Sequence, residues 1–172
     1  MLKVMWDAWA KYHKDLEEVL RNIENLDAID YEWLVKTAFE TIYNKYAENS
    51  WSCDEVDINR MTVINDGHYQ GTLLFLMPFG SYSPGPDDYL MTHVWYGSCS
   101  GCDTLERIRM QSKYDYEEDV YAKTPNEQQV QDLLMLCKDI ITNTIKPYNY
   151  GWQHNEAFDV ATVDGVKEKE NA

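Results

Sequence analysis

The chain has 172 residues, of which 44% are hydrophobic and 13% aromatic, and its 30 acidic against 15 basic residues leave a formal charge of -15 at pH 7. That length supports one domain with a continuous core, and the aromatic content argues against wholesale disorder. The charge opposes direct contact with nucleic-acid phosphates or anionic lipid, and no apolar run approaches the length of a bilayer span.

The N-terminal stretch carries Asp7 where a secretory segment would stay apolar, so cytoplasmic residence without export is expected. Met5, Trp9, Tyr12, Leu16, Val19, Ile23 and Leu26 recur at steps of four and three, the stripe of a long amphipathic helix. The same spacing would suit a coiled-coil seam between copies, an alternative to covering the domain's own core. Asp27 or Asp30 is a candidate cap for a second helix, whose Leu34, Val35, Ala38, Phe39, Ile42, Tyr43 and Tyr46 share one face. The short link predicts an antiparallel helical hairpin.

From Val56 the period changes to alternation, which predicts a partly exposed strand running on to Ile64. After the turn at Asn65-Asp66-Gly67, residues Gln70 to Phe79 are apolar on both faces and fit a central strand; Tyr89 to Tyr96 then returns as a third, making an antiparallel meander. Asp103 is placed to cap a short helix through Leu105 and Ile108. The tyrosine-rich, charged stretch Lys113 to Lys123 reads as a surface loop. Thr124-Pro125-Asn126-Glu127 reads as an N-cap, a first-turn proline and a capping-box glutamate ahead of a long helix. Tyr148 to Trp152 is aromatic enough to pack back on the domain. The expected organisation is therefore a single α+β domain over residues 1–165 and a charged tail over 166–172.

Four cysteines, Cys53, Cys99, Cys102 and Cys137, are too sparse for a disulfide scaffold and are expected as free thiols. Cys99-Ser100-Gly101-Cys102 is the one local redox motif, lying between a strand and a helix start that would lower a thiol pKa. No βαβ unit precedes it, which sets it apart from the thioredoxin arrangement. The pair would also supply half of a zinc site, with Cys53, Cys137, His68 or His93 completing it, so zinc is a possible cofactor. The simplest alternative is a tight turn of small residues against the sheet. His93 shares a strand face with Met91 and Trp95 and reads as a packed histidine. Phosphate-binding glycine loops, zinc-protease helices and serine triads lack their local patterns, so no catalytic residue is assigned and no enzyme is expected.

The acidic distribution carries the leading expectation. Between Trp51 and Glu106 the sole basic residue is Arg60, and tyrosines interleave with acids around Asp87, Asp88, Asp115, Glu117, Glu118 and Asp119. Carboxylates steer a basic partner while aromatic rings anchor it. Simple solubility accounts for the same charge.

Tyr96-Gly97-Ser98-Cys99-Ser100-Gly101-Cys102-Asp103-Thr104-Leu105, with Tyr69-Gln70-Gly71-Thr72 upstream, resembles a segment of small acidic proteins encoded by tailed bacteriophages. The resemblance spans the sheet region and the loop after it, leaves both long helices unmatched and carries no established activity. It implies a binding protein that occupies the nucleic-acid groove of a basic host protein, such as a nuclease of a CRISPR or restriction defence system, from within the host cytoplasm. The six acids above are the expected partner-binding residues, and a thiol-redox or structural-zinc protein centred on Cys99 and Cys102 is the alternative.

Overall fold

The computed structural model describes residues 1–51, 53–80, 83–85, 87–112, 114–115 and 120–146. The expected aromatic return at Tyr148 to Trp152, the C-terminal boundary of the domain and the charged tail lie outside them. The α+β class is as expected: helices flank a three-stranded antiparallel sheet.

Helix α1 (Leu2–Arg21) buries Met5, Ala8, Trp9, Tyr12, Leu16 and Leu20, while Val19 of the expected stripe is 39% exposed. Ile23 and Leu26 are buried beyond the end of the helix, so the stripe continues through a turn rather than through the helix itself. Asp30 caps α2 (Tyr31–Ala38) by accepting from Trp33 N at 2.8 Å. The helix then widens into a π turn (Phe39–Asn44) and resumes as α3 (Lys45–Ala47). This second helical arm packs on α1, where Lys45 pairs with Asp15 at 2.6 Å and lies over the Tyr12 ring.

The π turn places Asn44 so that its side-chain amide both donates to Val56 O and accepts from Val56 N, each at 2.9 Å. Val56, which also bridges Phe79, is thereby held as if between two strands. The strand expected to run on from Val56 is interrupted. Asp57 accepts from Asn59 N at 3.1 Å and pairs with Arg60, folding Ile58–Arg60 into a 3-10 turn, so strand β1 begins only at Thr62 and ends at Asn65.

Strand β2 (Gly71–Pro78) is central, between β1 and β3 (Tyr89–Tyr96). Its register sets Leu73, Phe75 and Met77 opposite Val94, Thr92 and Leu90, which form the core face. The other face carries Thr72, Leu74 and Leu76 opposite Trp95, His93 and Met91. Because side chains alternate along each strand, a shift of one residue would exchange the two faces.

Helix α4 (Thr104–Arg109) buries Leu105 and Ile108. The expected loop after it is instead partly a two-stranded hairpin, with β4 (Tyr114–Asp115) pairing β5 (Val120–Tyr121). Tyrosine and valine favour extended backbone, and this preference outweighs the local charge. Helix α5 (Glu127–Thr142) starts later than expected. Its N-cap is Asn126, with Gln129 completing the capping box, so Pro125 precedes the cap instead of occupying the first turn. Gln129 is fully buried, and its amide also donates to Ile108 O at 2.8 Å, tying α5 to the end of α4. At the far end Ile145 and Met91 exchange backbone hydrogen bonds at 2.8 and 2.9 Å, so the chain leaves α5 along the outer edge of β3.

Candidate dithiol site

Strand β3 ends at Tyr96, and the chain must reverse before α4 begins at Thr104. Gly97 makes this possible: a Cβ there would lie 2.5 Å from both the carbonyl carbon and Sγ of Cys102. The turn closes on Cys99 O, which accepts from Cys102 N at 2.9 Å and Asp103 N at 2.8 Å. Both thiols are thereby brought to the same side of the loop. Cys99 Sγ and Cys102 Sγ stand 3.2 Å apart, and both residues are exposed.

The Cys102 thiol is held below its ordinary pKa, chiefly by its hydrogen bond with the Cys99 thiol. Desolvation opposes this, while backbone hydrogen bonding and the Ser98 hydroxyl, 3.9 Å from Sγ, act in the same direction as Cys99. A lowered Cys102 pKa favours its thiolate, which is the reactive form of a cysteine. Cys137 is the opposite case: it is fully buried in the core, and desolvation pushes its pKa up to about 12.

The loop is anchored through Asp103, which is only 6% exposed. Its Oδ1 accepts from Glu106 N at 2.9 Å and from the Tyr31 hydroxyl at 3.0 Å, and its Oδ2 accepts from Gly97 N at 3.0 Å. The Tyr31 hydroxyl in turn accepts from Leu105 N at 3.2 Å, and burial raises its pKa. One carboxylate therefore caps α4, fixes the first residue of the loop and joins both to α2.

The residues expected to complete a zinc site do not gather around the pair. Cys137 lies in the core and Cys53 is half-buried, and among the described residues no group of three His, Cys, Asp or Glu side chains converges. Cys99 and Cys102 supply two ligands where tetrahedral zinc takes four.

The six acids expected to bind a partner are only partly placed. Asp87 and Asp88 are both half-buried, and Asp88 Oδ2 accepts from Gly85 N at 2.9 Å, closing the turn before β3. Asp87 Oδ1 is buried without a hydrogen-bond partner among the described residues. Asp115 lies on β4, whereas Glu117, Glu118 and Asp119 lie outside the described residues.

Sequence reasoning found the thiols and the capping role of Asp103 but missed two partners. Tyr31 is distant in sequence and leaves no local signal. Gly97 lies in the expected tight turn, and its importance comes from the space that Cys102 occupies beside it.

No protein-family model matches this sequence, and no curated protein or solved structure matches it. Among the described residues no helix is long and apolar enough to cross a membrane.

Proposed function

We propose that the chain is a thiol-disulfide exchange protein acting through Cys99 and Cys102. The observation that supports this reading is the 3.2 Å separation of two exposed thiols on an anchored loop. A disulfide needs its sulfurs at about 2.05 Å, so closure requires an approach of roughly 1 Å and no refolding.

In the reducing direction the Cys102 thiolate attacks one sulfur of a substrate disulfide. The substrate S–S bond breaks, the departing thiolate takes a proton from water, and a mixed disulfide remains on Cys102. Cys99 then loses its proton to solvent and attacks Cys102 Sγ, releasing the second substrate thiol. The substrate gains two electrons, and the Cys99–Cys102 pair is left oxidised until a low-molecular-weight thiol reduces it by the same exchange. Equilibration with reduced and oxidised glutathione, read by mass spectrometry of alkylated protein, tests the reading. A two-electron transition confined to Cys99 and Cys102 is expected, with Cys99→Ala trapping a mixed disulfide on Cys102. A pair that stays reduced across the whole glutathione range would sink it.

A second reading rests on the charge of -15. In it the chain is a non-enzymatic inhibitor that binds a basic, nucleic-acid-binding host protein, and Asp87, Asp88, Asp115, Glu117, Glu118 and Asp119 stand in for phosphates. The phage resemblance makes a defence nuclease the partner class. Charge reversal at those positions should abolish salt-sensitive capture of that class of protein; unchanged capture at moderate salt would eliminate the reading.

A further inference from the structure

A cleft of about 400 Å³ lies between β3 and α5. Trp95 and Thr104 are among its walls, and these residues flank the Gly97–Asp103 loop on either side, so the cleft reaches both ends of the loop that carries the two thiols, neither of which lines it. Leu136 and Ile140 supply apolar lining, and Asp139 and Asn143 line it from the C-terminal part of α5 and the residue after it.

Three features give this cleft a preference for positive charge. Asp139 is an exposed carboxylate in its wall, and no lysine or arginine lines it among the described residues. The last turn of α5 carries no basic residue, so the negative end of a 16-residue helix dipole is left without a cation from its own turn. Trp95 is 54% exposed and offers an indole face of the kind that binds ammonium and guanidinium groups. The chain's nearby lysines are engaged elsewhere, Lys138 over the Trp6 ring and Lys146 over the Phe79 ring.

We propose that this cleft is the substrate subsite of the dithiol and takes a lysine- or arginine-bearing peptide segment next to the disulfide to be exchanged. The inference rests on the thiol-exchange reading and deepens it by naming the substrate class. Attraction at the cleft raises the local concentration of basic disulfides beside Cys102 and leaves the intrinsic chemistry of the thiols unchanged.

The test compares exchange rates of the full chain with two synthetic peptides, each carrying one internal disulfide, flanked in one by lysines and in the other by glutamates. Oxidised hydroxyethyl disulfide, small and neutral, serves as the reference. The lysine peptide should react at least about tenfold faster than the glutamate peptide at low salt, with the advantage shrinking as salt rises. Asp139→Lys and Trp95→Ala should each remove most of that advantage while leaving the rate with the small disulfide unchanged. Equal rates for the two peptides, or variants that slow all three substrates alike, would overturn the subsite and leave the dithiol reading intact. A per-molecule rate with the lysine peptide that falls as protein concentration rises would assign the cleft to a second copy instead. Failure of the wild-type chain to react even with the small disulfide would overturn the exchange reading itself.

Discussion

The Tyr31 hydroxyl donates to Asp103 Oδ1 at 3.0 Å, so a residue in the first turn of α2 secures the loop that holds the two thiols. The same hydroxyl accepts from Leu105 N, so its loss would leave that amide without this partner and take one of two donors from Asp103 Oδ1. Tyr31→Phe should therefore destabilise the fold by about 1–3 kcal/mol, as expected for a buried hydrogen bond to a carboxylate. Urea denaturation measures this. Because Cys102 directly precedes Asp103 and Asp103 N donates to Cys99 O, the variant should also shift the glutathione equilibrium of Cys99 and Cys102; an unchanged equilibrium would show that the anchor does not reach them.

Alkylation by iodoacetamide should separate the cysteines by pH. Cys102, held below the ordinary thiol range first by the Cys99 thiol, should reach half its maximal rate at a pH below that range. Cys99→Ala removes the largest cause of the lowering, so the midpoint should rise toward the ordinary value of about 8.5. Cys137, pushed up to about 12 by burial, should stay unreactive in the native protein across that span. Peptide mapping of the modified protein distinguishes the sites.

Gly97→Ala puts a methyl group 2.5 Å from Cys102 Sγ and its carbonyl carbon, backbone and side chain together. Relief requires the loop to open, which draws Cys102 away from Cys99. Oxidation by a low-molecular-weight disulfide should then give less of the intramolecular disulfide and more of the adduct to a single thiol. Far-UV circular dichroism should remain close to that of the parent, because the clash is confined to the loop.

What could be read in advance and what could not divides along a physical line. The stripes through Met5, Trp9 and Leu16, and through Val130, Leu133 and Cys137, announce their helices because burial imposes the same period along the whole element. Where a side chain competes with the backbone, the reading slips. Asp57 folds Ile58–Arg60 out of the expected strand, and Asn126 with Gln129 takes the cap from Thr124. The dithiol was legible as a C-x-x-C motif, but its anchor was not. Asp103 reaches Tyr31 and Gly97 through the tertiary fold, and no periodicity encodes such a meeting.

Gln129 shows how much one buried amide can carry. It accepts from Asn126 N at 2.9 Å and donates to Ile108 O at 2.8 Å and to Ser112 Oγ at 3.1 Å. Gln129→Ala should cost about 2–4 kcal/mol, combining lost hydrogen bonds with buried groups left unpaired. Asn126→Ala, which removes the Asn126 half of the capping box and its hydrogen bond to Gln111 O at 3.1 Å, should cost about 1–2 kcal/mol. Chemical denaturation of the two variants side by side tests the order, and an equal loss would mean that the tie to α4 contributes nothing.

The π turn at Phe39–Asn44 amounts to one residue more than an α-helix would use over the same rise. Removing a single residue there would let the arm run as an unbroken α-helix, yet everything after the cut would rotate by about 100° about the axis. Asn44 would then face away from Val56, and Lys45 away from Asp15. The segment is therefore a phase adjuster: it lets one helical arm meet α1 on one side and brace the entry to the sheet on another, two tasks whose angular positions a regular helix of this sequence could not match together.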